Sequence, residues 1–200
     1  MARLVGLTGQ SGAGKSTVSR ILQDAGVKVI DCDKVARIVT EDNSECNKEL
    51  YKLFPQCFDE RLHLDRRMMA DLIFGDKQKL KAQNDIIFKY IGQYIDGVIS
   101  SVSDDFLVLD APTLFESGIY KRCSAIVSVL SSEKLRLDRI INRDGISEES
   151  VLLRFNSQKS DRFFTENSNI IIINDGTVSE LEVKALNALK KIKEIIYGKS

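Results

Sequence analysis

The chain has 200 residues, and its 29 Lys and Arg balance its 29 Asp and Glu, so the formal net charge is zero. Proteins dedicated to nucleic acids usually carry a strong basic excess, and we therefore expect no nucleic-acid partner. Hydrophobic residues make up 43% of the chain, which is typical of one globular domain with room for a small insertion. No segment approaches the ~18 uninterrupted apolar residues of a membrane span, so no membrane partner is expected either.

The cysteines predict structural thiols rather than a metal site or a disulfide framework. They are Cys32, Cys46, Cys57 and Cys123, none of which form a C-x-x-C pair, and the one histidine is His63. A zinc site would need several such ligands at close spacing. Disulfides are improbable in a chain of this size without a secretory signal, and the first residues lack that pattern. The expected compartment is the reducing cytoplasm.

Short apolar runs alternate with segments of helical periodicity. Apolar runs predict strands over residues 4–8, 27–30, 106–109, 125–130 and 170–173. Helical spacing predicts helices over 15–24, 76–102, 133–143, 148–159 and 177–198. The last helix has the clearest bounds, because Thr177 and Glu180 form a capping box and Gly198 is a stop signal.

This alternation predicts an α/β fold, a parallel sheet with helices on both faces. The least sheet-like region, about 36–103, is mostly helical and is expected to form an insertion beside the sheet. The charged segment of about 133–165 is expected to cover the sheet edge as a mobile element. The core would then consist of about 1–35, 104–132 and 166–200, all within a single domain.

A phosphate-binding turn follows the first predicted strand. Gly9–Ser16 fits G-x-x-x-x-G-K-[ST] at every fixed position, with a strand before it and a helix after it. In such a loop the backbone N–H groups curl around phosphate oxygens, and the helix N-terminus adds its positive dipole. The motif predicts nucleoside triphosphate binding by Ser11, Gly12, Ala13, Gly14, Lys15, Ser16 and Thr17. The alternative is a glycine-rich turn without a ligand.

Two residues are candidates to hold Mg²⁺ beside the triphosphate. Ser16 follows the P-loop lysine, where its hydroxyl would bind the ion. Asp110 closes the apolar run 106–109, and in this fold class such an aspartate binds Mg²⁺ directly or through water. The alternative role for Asp110 is a cap of the following turn.

The kind of phosphate chemistry is narrowed by what the sequence lacks. A switch GTPase needs an N/T-K-x-D segment and a D-x-x-G segment, and neither occurs. A motor or a helicase is normally larger. A chain of this length with a helical insertion and an arginine-bearing helix favours a small-molecule kinase.

Several further segments, in order along nearly the whole chain, resemble the dephospho-coenzyme A kinase family. They are residues 6–9 running into the P-loop, 29–33, 64–66, 110–116, Arg139, Arg143-Asp144, Gln158 and 174–176. The most specific is Asp110-Ala111-Pro112-Thr113-Leu114-Phe115-Glu116. One departure is Phe88-Lys89, which stands where the family usually has His-Pro.

The resemblance implies a P-loop kinase with a parallel core, a helical acceptor-binding insertion over about 36–103 and a lid over about 133–165. Its reaction moves the γ-phosphoryl group of ATP to the 3′-hydroxyl of dephospho-coenzyme A, the final step of coenzyme A biosynthesis. Asp33 would orient or deprotonate that hydroxyl, at the end of the strand beside the P-loop. The alternative for Asp33 is the N-cap of the following helix.

The resemblance also implies roles for residues around the nucleotide. Arg139 and Arg143 would belong to the lid and contact the transferring phosphoryl group, with Arg162 a weaker candidate; the alternative is a solvated helix face. Asn174 and Gly176 would pack against adenine, or form only a strand-to-helix turn. Arg37, Arg66 and Glu116 are candidates to face the acceptor.

Two other functions remain open on the sequence. One is another nucleoside or nucleotide kinase, and the other is a non-catalytic nucleotide-binding module. Joint retention of Lys15, Ser16, Asp33 and Asp110 disfavours the module, because a binder needs only the first two. The protein is expected to be a monomer or a small homo-oligomer, with dephospho-coenzyme A as its small-molecule partner.

Overall fold

The computed structural model describes residues 2–198, and it contains the predicted alternation of strands and helices. The strands are β1 (Arg3–Gly9), β2 (Val29–Asp31), β3 (Phe106–Asp110), β4 (Cys123–Leu130) and β5 (Ile170–Ile173). The helices are α1 (Lys15–Asp24), α2 (Cys32–Val39), α3 (Glu45–Leu53), α4 (Arg66–Ile73), α5 (Lys77–Ser101), α6 (Glu133–Asp144), α7 (Glu148–Asn156), α8 (Asp161–Glu166) and α9 (Val178–Tyr197). Short 3₁₀ turns span Pro55–Cys57 and Ile119–Arg122.

The five strands form one sheet in the order β2-β3-β1-β4-β5. Strand β1 pairs in parallel with β3 on one side and β4 on the other, and β4 pairs in parallel with β5. The predicted α/β fold with a parallel sheet is thus confirmed. From β1 the chain runs to the strands on one side of it, β2 and β3, and then crosses to those on the other side, β4 and β5. Open α/β sheets bind ligands at such a switch point, outside the carboxyl ends of the strands.

The sheet core is apolar because its parallel strands are covered by helices. Val5, Leu7 and Val108 are fully buried in the strands, and Val18 of α1 and Ile192 of α9 pack into the same cluster. Every residue of β3 is buried, as the continuous apolar run predicts for a strand covered on both faces.

Helix α9 begins and ends as its sequence signals predict. Thr177 accepts a hydrogen bond from the backbone N–H of Glu180, and the Glu180 carboxylate accepts one from the N–H of Thr177. Gly198 is the C-cap. The capping box satisfies two N-terminal N–H groups that the helix itself cannot satisfy.

Backbone contacts divide the chain into two compact units. One holds the chain up to Ile30 together with the chain from Ser103 onward, and the other is Asp31–Val102. The second unit contains α2 to α5 around its own apolar cluster, which includes Leu50, Phe54 and Met69. The long helix α5 starts at its N-cap Asp76, whose side chain accepts from two backbone N–H groups.

Two differences from the predicted local structure concern candidate site residues. Helix α7 ends at Asn156, not at residue 159, because the chain turns there and the Gln158 side chain binds Ser11. The N-cap of α2 is Asp31, whose carboxylate accepts from the Lys34 N–H at 3.0 Å, so Asp33 does not cap this helix. Within residues 2–198, no helix is both long and apolar enough to cross a membrane.

Candidate active site

The P-loop lies between the end of β1 and the start of α1, and its glycines are required by its shape. Gly12 and Gly14 have φ of 77° and 96°, which L side chains rarely adopt. A Cβ on Gly14 would also lie 2.3 Å from Asn174 Nδ2, and one on Gly12 would lie 2.8 Å from the Arg136 carbonyl oxygen. The loop therefore has both the backbone conformation and the close neighbours that only glycine permits.

Lys15 and Asp110 are brought together by the sheet. Asp110 ends β3 directly beside Leu7 of β1, and its carboxylate forms an ion pair with Lys15 Nζ. Both side chains are largely buried, with exposures of 17% and 9%. The two residues that sequence motifs singled out separately thus share one position at the carboxyl edge of the sheet.

The donors that could hold Mg²⁺ are the Ser16 hydroxyl and the Asp110 carboxylate. Both are hard oxygen ligands, the kind that Mg²⁺ prefers. Ser16 lies in the exposed first turn of α1, and Asp110 reaches the P-loop through Lys15. The donor set therefore fits the ion that accompanies a nucleoside triphosphate.

The segment after β5 packs against the P-loop. Asn174 Nδ2 donates to the Ala13 carbonyl oxygen at 2.8 Å, and the side chain is buried. Gly176 follows two residues later, just before the capping box of α9. Of the two predicted adenine-loop residues, the structure brings Asn174 directly to the P-loop.

Arg139 and Arg143 lie one turn apart on α6 but have different partners. Arg139 donates to the carbonyl oxygens of Gly12 at 3.3 Å and Asn174 at 3.0 Å, which ties the P-loop to the loop after β5. Arg143 is 63% exposed and makes a two-point contact with Asp144, at 2.7 and 2.9 Å. The two arginines therefore occupy different environments, although both are predicted to contact the transferring phosphoryl group.

Asp144 joins α6 to α7. It also accepts from Arg154 at 3.2 Å. The hydrogen bond from Arg143, supported by Arg154, lowers the pKa of Asp144 to about 2. This carboxylate is therefore charged at any working pH and holds the Arg143 guanidinium at the end of α6.

Sequence reasoning missed part of the P-loop's surroundings. Gln10 donates to Asp161 of α8, and the resemblance gave Gln158 no role although it contacts Ser11 twice. Arg136 is buried against the Phe155 ring, with 4.1 Å between guanidinium and ring centroid. A Gln at the first variable P-loop position carries no general signal. Arg136 stands four residues before the buried Ile140, and this shared helix face is the one signal of its burial.

The helical unit contains its own polar cleft of about 480 Å³, lined by Arg37, Thr40, Glu41, Asp42, His63, Leu64 and Arg66. Arg66 Nη2 donates to Thr40 Oγ1 at 2.8 Å. His63 Nδ1 lies 2.7 Å from Asp42, and this carboxylate raises the pKa of the imidazole. Two of the three acceptor-facing candidates, Arg37 and Arg66, therefore line one cleft.

Asp33 lies in the first turn of α2, four residues before Arg37. Side chains at this spacing share one face of a helix. Asp33 and the cleft residue Arg37 are thus neighbours within the helical unit.

Comparison with known proteins decides between the kinds of P-loop protein. A family model described as dephospho-CoA kinase (CoaE) matches residues 3–180. The chain belongs to this family. Its predicted class of activity, a kinase of coenzyme A biosynthesis, is thereby confirmed.

Relatives and solved structures agree with this assignment. The chain is 33% identical to the dephospho-CoA kinase of Fusobacterium nucleatum over 89% of its own length and 92% of the relative's. It is 34% identical to that of Saccharomyces cerevisiae, over 95% and 83%. A crystal structure of TT1252 from Thermus thermophilus superposes with a TM-score of 0.85, at 30% identity and covering 96% and 97% of the two chains. A shikimate kinase from Acinetobacter baumannii, at 16% identity and a TM-score of 0.53 over 96% of both chains, shares the fold alone.

The departure from the family pattern has a visible local role. Lys89 Nζ forms an ion pair with Glu49 of α3, and Tyr90 Oη donates to the same carboxylate at 2.9 Å. The hydrogen bond from Lys89, together with that from Tyr90, lowers the pKa of Glu49. Residues 89 and 90 therefore fasten α5 to α3 inside the helical unit.

Proposed function

We propose that this chain transfers the γ-phosphoryl group of ATP to the 3′-hydroxyl of dephospho-coenzyme A, with Mg²⁺. The observation that carries the proposal is a P-loop whose Lys15 pairs with Asp110 in a chain that belongs to the dephospho-CoA kinase family. In the reaction the acceptor oxygen forms a bond to the γ-phosphorus and the bond to the ADP oxygen breaks. The hydroxyl proton passes to Asp33 or to solvent.

The nucleotide side of the reaction rests on the P-loop. Backbone N–H groups of the loop bind phosphate oxygens, except that of Ser11, which donates to Gln158 Oε1. Lys15 reaches the β- and γ-phosphates. Ser16 and Asp110 would hold Mg²⁺, which would supply positive charge to these phosphates. Asn174 and Gly176 form the wall beside adenine, an assignment supported by the bond from Asn174 to the Ala13 carbonyl.

The acceptor side of the reaction is assigned to the helical unit. Asp33 orients the 3′-hydroxyl, and the cleft beside Arg37 and Arg66 takes the diphosphate of dephospho-coenzyme A. Support comes from the shared face of α2, because one helical turn between Asp33 and Arg37 matches the short span from the 3′-oxygen to the 5′-phosphate of a ribose. Two guanidinium groups offer the forked donors that suit a diphosphate.

The segment of about 133–165 is assigned as the lid. Arg143 supplies positive charge to the transferring phosphoryl group, whereas Arg139 acts mainly by holding the P-loop and the loop after β5. The distinction is supported by the exposure of Arg143 and by the two backbone carbonyl oxygens bound to Arg139. Arg162 is a weaker candidate because it pairs with Glu166 within α8.

A cytoplasmic, reducing location fits the thiols. Burial raises the pKa of Cys46 and of Cys123 to about 11, so both stay protonated and unreactive near neutral pH.

Within residues 2–198, no group of three or more His, Cys, Asp or Glu side chains is arranged to hold a metal ion. We further propose a monomer or small homo-oligomer with no nucleic-acid partner.

The proposal is tested by ADP release with ATP, Mg²⁺ and either dephospho-coenzyme A or a panel of nucleoside monophosphates. Of these acceptors, we expect only dephospho-coenzyme A to be phosphorylated. The product should carry its new phosphate at the ribose 3′-position. Lys15→Ala serves as the inactive control, because it removes the charge that meets the phosphoryl group; we expect a loss of about 10²–10³-fold. Comparable turnover of a nucleoside monophosphate would support the alternative nucleotide kinase, and no turnover with any acceptor would support the binding module.

A further inference from the structure

The segment 158–161, which leads from α7 into the first residue of α8, is fastened to the first half of the P-loop by two side chains. Gln158 Oε1 accepts from the backbone N–H of Ser11 at 3.3 Å, and Gln158 Nε2 donates to Ser11 Oγ at 2.6 Å. Asp161, three residues later, accepts from the side chain of the neighbouring Gln10. Consecutive P-loop residues are therefore held by one short segment.

The two-point contact fixes the direction of each hydrogen bond. A backbone N–H can only donate, so the Gln158 oxygen must face it, and the amide nitrogen must face Ser11 Oγ. Ser11 Oγ is then an acceptor toward Gln158. The hydroxyl hydrogen of Ser11 is left to point at a different acceptor.

Helix α7, which precedes Gln158, packs against a buried arginine of α6. Arg136 is 5% exposed and stacks on Phe155 of α7. Burial lowers the pKa of Arg136, and the charge of Asp161 partly offsets this effect. Asp161 also accepts from Gln10, so the carboxylate whose charge acts on Arg136 is in contact with the P-loop.

The position of Ser11 in the loop indicates which phosphate it faces. The α- and β-phosphates lie at the N-terminus of the helix that follows the loop, here the Gly14–Thr17 end. Ser11 lies at the opposite end of the loop, next to β1, so we assign the terminal phosphate to it. Because Ser11 Oγ accepts from Gln158 Nε2, the Ser11 hydroxyl hydrogen can donate to an anionic phosphate oxygen there.

We propose that Gln158 is a positioning residue that fixes the Ser11 hydroxyl as a hydrogen-bond donor to the γ-phosphoryl group. The inference rests on the proposed function for the identity of the reaction, but its own content is recognition of the third phosphate. Gln158 acts through Ser11. Its loss therefore affects ligands that carry a γ-phosphate and spares ADP.

The test compares wild type, Gln158→Ala, Ser11→Ala and the double variant. Calorimetry with Mg²⁺ measures affinity for ADP and for the non-hydrolysable ATP analogue with a β,γ-imido bridge. A hydrogen bond to a charged group corresponds to roughly 10- to 100-fold in affinity, so we expect each single variant to lose about that factor for the analogue and less than threefold for ADP. We expect the double variant to be no worse than Ser11→Ala.

Three results would overturn the proposal: equal losses for ADP and the analogue, losses that multiply in the double variant, or unchanged discrimination in Gln158→Ala. Gln23→Ala is the matched control, because Gln23 is an exposed glutamine on α1 in the same unit. If Gln158→Ala does not fold, as judged by its melting temperature, Gln158→Met keeps the side-chain length and replaces it. Wild type that binds the imido analogue but transfers no phosphate to dephospho-coenzyme A would refute the proposed function alone.

Discussion

The arginines of α6 separate, at the scale of single residues, into one that holds structure and one that is exposed. Arg139 is bound to two backbone carbonyl oxygens, so removing it should disturb the P-loop itself. Arg143 touches a side chain at the end of the same helix. Their substitution should therefore have different kinetic signatures.

For Arg143→Ala we expect kcat to fall by about 10–10³-fold, with ATP affinity changed less than fivefold. The reason is that charge on the transferring group develops in the transition state, where a cation stabilises it most. Steady-state kinetics and equilibrium titration of ATP measure the two quantities. Asp144→Asn is the companion variant: it removes the charged partner of Arg143 but keeps the guanidinium.

A weakened ATP affinity with normal kcat in Arg143→Ala would assign this side chain to ground-state binding instead. An unchanged kcat would remove it from the reaction altogether.

Asp33 gives the second prediction at this scale. Asp33→Asn keeps the size of the side chain but removes its charge and basicity, so we expect both substrates to bind and kcat to fall by about 10²–10⁴-fold. Because Asp31, not Asp33, caps α2, the substitution should lower the melting temperature less than loss of the cap does. A single-turnover transfer assay beside calorimetry of both substrates makes the measurement.

The matched control is Asp31→Ala, which removes the helix cap without touching residue 33. If Asp33→Asn lowers stability more than Asp31→Ala and leaves transfer intact, residue 33 has a structural role and the catalytic assignment is wrong.

At the scale of elements, an aromatic cluster joins α8 to the segment after β3. Phe115 of the Asp110–Glu116 motif packs edge-on against Phe163 with ring centroids 4.9 Å apart, and lies 6.1 Å from the ring of Phe164. The motif that carries the resemblance thus also supplies the surface on which α8 rests. Helix α8 carries Asp161, so its seating bears on the contact with Gln10.

We expect Phe164→Ala to lower the free energy of unfolding by about 3–5 kcal/mol, because Phe164 is 5% exposed and a cavity would replace its ring. Urea unfolding followed by circular dichroism gives the value. Tyr51→Ala is the control, since this aromatic side chain is 43% exposed and should cost less. Equal effects of the two substitutions would show that the cluster does not hold α8.

At the scale of the whole molecule, stability depends on pH through buried thiols. Burial raises the pKa of Cys46 from its usual 9.0 to about 11, with a further contribution from Glu49. The neutral thiol is favoured in the folded state, so its contribution is complete below pH 9 and is lost as pH rises from 9 to 11. Cys46 lies in the core of the helical unit.

We therefore expect wild type to lose on the order of 2 kcal/mol more stability than Cys46→Ala between pH 8.5 and 11. Urea unfolding under reducing conditions at several pH values measures how the free energy of unfolding changes with pH. The cavity in Cys46→Ala has a constant cost, so it does not affect this slope. Cys123→Ala provides a second, independent case. Parallel pH profiles of wild type and both variants would contradict the expectation.

The sequence by itself determined those features that depend on neighbours along the chain. The G-x-x-x-x-G-K-S spacing fixed the P-loop, because its conformation follows from glycines and a helix start within eight residues. The alternation of apolar runs and helical periods indicated the parallel sheet, and Thr177 with Glu180 marked the start of α9. The family followed from motifs whose order spans the chain.

Only the tertiary structure decided what each polar side chain contacts. Lys15 and Asp110 meet because β1 and β3 are neighbours in the sheet, and their positions 95 residues apart contain no information on that distance. Arg139 and Arg143 are equivalent by helical spacing, yet packing of α6 on Gly12 gives only Arg139 access to the P-loop carbonyl. Gln158 reaches Ser11 because α7 ends at Asn156 and frees the following residues. Hydrogen bonds are short and directional, so long-range partners are set by the packing of whole elements and not by local pattern.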